Sequence, residues 1–154
     1  LLAAGDRLAL PPLQLRVLHP PAAPTTAHGN NNSLVLLGKG FGSDFLLTGD
    51  IELTVEQELA ESRQLPEASI LKVAHHGSRT SSSETLLEAV RPALALISSG
   101  PPERFSHPSP VVVARLDRRG IAHVTTHDFG QIEVVFQGDK LRLEYPAPRL
   151  LPEN

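Results

Sequence analysis

Apolar and polar positions alternate along this chain in short, changing periods. Residues 13 to 18, Leu-Gln-Leu-Arg-Val-Leu, repeat every second position and predict a half-buried strand. Pro20, Pro21 and Pro24 then impose a loop. Asn30-Asn31-Asn32-Ser33 leads into a second strand at Leu34 to Leu37, Gly38, Gly40 and Gly42 mark a turn, and Phe45 to Thr48 returns as the other arm of a hairpin. From Glu52 to Gln64 the period becomes helical. Leu53, Gln57 and Ala60 share one side, Val55 and Leu59 lie nearby, and Pro66 blocks continuation. Ser69 to Ala74 predicts a strand, and Glu84 to Val90 a short helix with serine caps available at Ser81 to Ser83. Ala93 to Ser98 is again a strand.

Pro108 and Pro110 suit the first turn of a helix that runs to Arg119, buries Val112, Val113 and Leu116, and stops at Gly120. Ile121 to Thr125, Ile132 to Phe136 and Leu141 to Tyr145 read as strands, with a turn at Gly138-Asp139 before the last. Strands alternating with helices predict a layered α/β domain over residues 1–145. The proline-rich tail, 146–154, is expected to be loose.

Composition narrows this picture. With 154 residues and 40% hydrophobic content, the chain is expected to bury one real core. No apolar run approaches 18 residues, so no transmembrane helix is expected within it. It begins with leucine and contains no methionine, as expected of a piece of a longer polypeptide. The absence of cysteine leaves His, Asp, Glu and water as the only metal ligands. A formal charge of −3 argues against a protein that grips nucleic acid by charge alone.

Candidate chemistry gathers at two strand ends. Thr48-Gly49-Asp50 closes one apolar run, and His75-His76-Gly77-Ser78 closes the next. A buried carboxylate needs a cation or several donors, and its two oxygens can each meet a different metal. Asp50 could equally cap the helix that follows. On a strand, His75 and His76 would point to opposite faces, one able to ligate a metal while the other binds substrate or packs. They could also be no more than a polar strand end. Gly77 and Ser78 would offer N–H groups and a hydroxyl to an anion. His107, before a helix start, could meet phosphate or be an ordinary surface residue. Asn31 could line a site or cap a turn. His19, His28, His123 and His127 read as surface residues. The order of carboxylate then histidines leaves metal-assisted hydrolysis as the leading chemistry.

Taken in series, Asn31-Asn32-Ser33-Leu34-Val35-Leu36, Leu46-Leu47-Thr48-Gly49-Asp50, Leu71-Lys72-Val73-Ala74-His75-His76-Gly77-Ser78, Ser106-His107-Pro108 and Thr125-Thr126-His127-Asp128-Phe129-Gly130 resemble one family. It is the C-terminal metallo-β-lactamase-like domain of the ComEC/Rec2 DNA-internalisation proteins, and the likeness covers roughly residues 5 to 136. The resemblance implies an αββα sandwich, of which this chain is the C-terminal half. It implies a divalent-metal site, Mn or Zn, two ions in the complete domain, where a phosphodiester is hydrolysed. Asp50 would bridge the metals and His76 would ligate the second. His75 and His107 would face the phosphate or transfer protons, and Ser78 and Asn31 would support substrate.

The family's members are polytopic inner-membrane proteins of natural transformation. The implied role is degradation of the strand that is not imported, by a soluble domain on the extracytoplasmic side. Its partners would be DNA, the upstream half-domain and the membrane channel. The superfamily's His-x-His-x-Asp-His cluster has no match in this chain, and asparagine stands where many members place a further histidine. The chain therefore carries about half a site and is expected to be inactive alone and to self-associate. The rival expectations are a degenerate, non-catalytic module that docks DNA or a pore partner, and a hydrolase of another phosphoester.

Overall fold

The computed structural model of the chain describes residues 1–23, 29–101, 106–137 and 140–145. The expectations for Pro24, His28, the Gly138-Asp139 turn, part of the loop before His107, and the tail lie outside them.

Seven strands form one sheet in the order of the sequence. β1 (Arg7–Leu10), β2 (Leu13–His19), β3 (Val35–Gly40) and β4 (Ser43–Leu47) run as an antiparallel meander. β5 (Ile70–Lys72), β6 (Leu94–Ile97) and β7 (Ala122–Thr125) then add in parallel to β4. Each parallel step requires a crossover, supplied by α1 (Leu53–Glu61), α2 (Glu84–Val90) and α3 (Pro110–Arg118). Sequential order with crossovers of one hand puts all three helices on one face. There Val55, Leu59, Leu86, Leu87, Val90, Val112 and Leu116 pack with Leu37, Leu46, Leu71 and Ala95 in a single core. A one-turn helix, α4 (Thr126–Phe129), follows β7. Among the described residues no helix is long and apolar enough to cross a membrane.

The mixed sheet confirms the α/β expectation, and several local details differ. β1 was not legible, because Arg7-Leu8-Ala9-Leu10 is an exposed edge with little apolar contrast. β8 (Glu133–Gln137) and β9 (Lys140–Glu144) exist as expected but pair only with each other. Helix α1 buries Val55, Glu56 and Leu59, whereas Leu53 and Gln57 face outward. The aliphatic Leu53 gives way because Ile51, just before the helix, already fills the core. Val113 is only half-buried, while Val112 and Leu116 are fully buried.

Parallel strands have their ends in register, so the segments that leave β4, β5 and β6 emerge together. Phe45 pairs with Ile70 and Ile70 with Leu94, and the three strands end within a few residues of that row. Ligand sites of α/β sheets form at such carboxyl ends. Asp50, His76 and Ser98 all lie just beyond this edge.

Candidate functional site

The loop after β4 is held by its neighbours on both sides. Thr48, fully buried, donates its hydroxyl to the Lys72 carbonyl at 2.6 Å. Gly49 adopts φ +54°, and a Cβ there would fall 2.6 Å from Ser33 Cβ, so only glycine fits. Its carbonyl accepts from the His75 N–H at 3.1 Å and from Lys72 Nζ at 3.1 Å. The Asp50 N–H donates to Ser33 Oγ at 3.0 Å. Asp50 is not the helix cap. The capping position of α1 is Glu52, whose side chain makes no capping bond. Its N–H instead donates to Asn31 Oδ1 at 2.9 Å.

The histidine pair does not sit on a strand. β5 ends at Lys72, and His75, His76 and Gly77 follow one another at φ +46°, +55° and +82°. Strand alternation therefore does not apply, and the two ring centroids lie 6.5 Å apart. Left-handed conformations are unfavourable for residues with a Cβ and persist only where the surroundings impose them. Here the surroundings are explicit. The Ser78 N–H donates to the His75 carbonyl, the Ala74 N–H to Ser82 Oγ, and the Ser81 hydroxyl lies 2.7 Å from the Ala74 carbonyl. Gly77 presses on Pro108, where an added Cβ would come within 2.8 Å, and its carbonyl accepts the Ser109 N–H.

Beneath this turn lies a buried carboxylate. Glu56 has no solvent exposure and accepts the Ser82 and Ser83 N–H groups at 2.5 and 2.8 Å. Burial raises its pKa above the usual carboxylate value, against the lowering effect of its hydrogen bonds to Ser83 and Ser82 and of the Arg115 charge. Arg115 in turn donates to the Ser81 and Ser82 carbonyls.

Two donors face one another above the turn. His76 Nδ1 donates to the Ser98 carbonyl at 2.6 Å, which leaves Nε2 of the neutral ring as the lone-pair nitrogen. That Nε2 lies 3.6 Å from Asp50 Oδ1. The gap is too long for a hydrogen bond and close to the ~3.4 Å expected of two ligands on one tetrahedral ion. The same Oδ1 is 3.8 Å from Lys72 Nζ, whose pKa is lowered by burial and partly restored by Asp50. Ser98 is itself anchored, since Thr126 Oγ1 accepts the Ser99 N–H and donates to the Ser99 carbonyl, both at 2.9 Å. His76, Ser98, Ser99, Gly100 and His107 line a cavity of about 420 Å³. Among the described residues, no group of three His, Asp or Glu side chains converges as a full metal site.

The remaining expected residues are unevenly placed. His107 stands at the cavity, its ring 5.8 Å from that of His75, with Nδ1 donating to the Ser106 carbonyl. His75 is braced rather than free. Its Nε2 is 3.4 Å from the Asn30 amide, and its buried Nδ1 is 3.2 Å from Glu52 Oε1 without the alignment of a hydrogen bond. Ser78 is 6% exposed, and its hydroxyl is 3.0 Å from that of Thr80, which donates to Glu52 at 2.8 Å. Neither its hydroxyl nor its N–H is offered to a ligand. Asn31 is committed to the Glu52 N–H, and its carbonyl is 2.8 Å from Nε2 of His19. His19, expected at the surface, is 5% exposed, because the end of β2 is covered and this bond satisfies the ring. His123 is half-buried and His127 exposed, both away from the cavity.

Lys72 and Glu56 went unnoticed in the sequence. Lys72 could have been found, as the one charge inside the apolar run Ile70 to Ala74. Glu56 gave no such signal, since a glutamate is ordinary in a helix.

No family model matches the chain. It is 40% identical over 129 residues to ComE operon protein 3 of Bacillus subtilis, covering 84% of this chain and 16% of that protein. It is 39% identical over 142 residues to Recombination protein 2 of Haemophilus influenzae, covering 91% and 17%. Competence protein ComA of Neisseria gonorrhoeae is 34% identical over 105 residues, covering 68% and 15%. The chain thus spans less than a fifth of the length of the curated relatives it matches. Identity of this order along most of the chain, in relatives of the same kind, places it in the ComEC/Rec2 family of competence proteins.

Proposed function

We propose that this chain is part of a divalent-metal-dependent phosphodiesterase, a nuclease acting during DNA uptake on the strand that is not imported. In this reading residues 1–145 are the C-terminal portion of a metallo-β-lactamase-like αββα domain. The domain belongs to a membrane channel protein and faces the extracytoplasmic side. The observation that carries the proposal is the pairing of Asp50 Oδ1 with His76 Nε2 at 3.6 Å, with the other ring nitrogen fixed on the Ser98 carbonyl. Carboxylate and imidazole suit Mn or Zn, so the donor chemistry fits one such ion held by two ligands of this chain. Water, substrate and residues outside this chain would complete its shell.

A divalent cation held there by Asp50 and His76 would supply Lewis acidity toward a phosphoryl oxygen. The chain's own groups do the rest. Lys72 places an ammonium group beside Asp50, which favours an anionic substrate. His107, with Nδ1–H bound to the Ser106 carbonyl, can carry a second proton on Nε2 and yield it to a leaving oxygen. His75, wedged between Glu52 and Asn30, positions the turn and presents a ring edge to His107. A polypeptide that carries this chain with its upstream region, supplied with Mn²⁺, should cleave a single-stranded oligonucleotide. Asp50→Ala and His76→Ala should each reduce the rate at least tenfold. Cleavage that is absent, or indifferent to both substitutions, defeats the proposal.

One observation favours the non-catalytic alternative. Lys72 already stands beside Asp50, so the carboxylate has a counter-ion without any metal. A module of that kind would bind its DNA or pore partner and yet cleave no oligonucleotide, even with the upstream region and Mn²⁺ supplied.

A further inference from the structure

A pair of cationic side chains stands at the opposite end of the sheet. Arg7 of β1 and Arg16 of β2 are direct cross-strand partners, so their Cβ atoms are about 5 Å apart on one face. Like charges in that relation are destabilising unless something neutralises them. Among the described residues no carboxylate lies within ion-pair distance of either guanidinium. The adjacent Asp6 instead accepts the Ala3 N–H at 2.9 Å. The next cross-strand pair on the same face is Gln14 with Lys39, and Lys39 is held by Asp44 at 2.6 Å. These four side chains surround a groove of about 450 Å³ with Leu37 and Pro66 in its lining. The chain has 17 acidic residues and a net charge of −3, yet directs none of the described carboxylates at this pair.

We propose that the Arg7–Arg16 pair is a docking site for the phosphodiester backbone of a single nucleic-acid strand. Two adjacent guanidinium forks match two phosphates, and phosphate contacts hold a strand without reading its bases. Among the described residues no aromatic side chain lines the groove, so the contact is expected to be indifferent to sequence. The groove is on the helix-covered face, beside the segment that follows α1, and is separate from the Asp50–His76 cavity. On a chain of net charge −3 this local pair would hold a strand only weakly, enough to retain one that the cavity processes. The choice of nucleic acid as the anion rests on the uptake function proposed above.

The test is the salt dependence of binding of a fluorescent single-stranded oligonucleotide by the full chain in EDTA, so that no metal contributes. Each neutralised phosphate contributes about 0.7 to the slope of log K against log salt for a single strand. Arg7→Gln/Arg16→Gln should therefore lower the slope by about 1.4, equally for different base compositions, while Arg118→Gln, outside the groove and paired with Glu84, leaves it unchanged. An unchanged slope in the arginine variant overturns the proposal, as does absence of salt-dependent binding by the wild-type chain. Because β1 is an edge strand, its cations could instead serve only to repel other edges. In that case the arginine variant gains self-association by sedimentation with no change in slope, which also overturns it. Failure of Mn²⁺-dependent cleavage by the polypeptide that carries the upstream region, with the arginine-dependent slope intact, would defeat the nuclease reading and leave this one standing, so the two proposals are separable.

Discussion

Glu56 bears on the site without touching it. Its two oxygens hold the Ser82 and Ser83 N–H groups, and Ser82 Oγ accepts the Ala74 N–H at the base of the histidine turn. Glu56→Ala leaves two buried N–H groups unpaired and should destabilise the chain by on the order of 3 kcal/mol in urea unfolding. The pH dependence has a definite sign. Burial raises the folded-state pKa above the ordinary 4.5, so the folded chain holds this proton more tightly than the unfolded one. The stability contributed is full below about 4.5 and is lost as pH rises through the folded-state pKa. Glu56→Gln has no such group, so the stability of wild type relative to this variant should fall with rising pH across that window. A constant difference would show that Glu56 does not titrate there. Asp50 and His76 were legible as candidates because each ends an apolar run. Glu56 was not, because only the tertiary pairing of α1 with the Ser81–Ser83 loop makes it special.

Between residues and the whole, the decisive element is the left-handed turn His75-His76-Gly77. Gly77→Ala should cost on the order of 2 kcal/mol, from a positive φ combined with contact against Pro108. Gly120→Ala isolates the first part. It has φ +65° with nothing within 4 Å, so it should cost only about 1 kcal/mol. Equal losses in thermal unfolding would mean that the Pro108 contact carries no weight. Helix α2 is sealed in the ordinary way, since Ser83 Oγ accepts the Leu86 N–H at 3.1 Å. The hairpin β3–β4 and the helices α2 and α3 follow from patterns that the sequence carries locally. The turn does not. Its conformation depends on bonds from the serine loop that follows, Ser81 and Ser82, and on the Gly49 carbonyl far back in the chain, which no local pattern announces, so the pair reads as a strand end.

At the scale of the molecule, the helices cover one face of the sheet, while on the other Leu36, Leu47, Lys72, Leu96 and Val124 form a cross-strand row. Leu47 is 37% exposed and the others are half-buried. Apolar surface of this kind favours association. The chain should sediment as a dimer or larger species and move toward monomer with Leu47→Glu; a wild-type monomer would contradict this. The parallel order β4-β5-β6 brings two sequence-distant loops to one edge, where Asp50 meets His76. That meeting is the centre of the account, and Mn²⁺ titration followed by NMR tests it most directly. Paramagnetic broadening should strike the His76 ring first, ahead of the distant His123 and His127, and should disappear in Asp50→Ala. Broadening shared equally by the exposed histidines, or surviving the loss of Asp50, would contradict the assignment of a metal site.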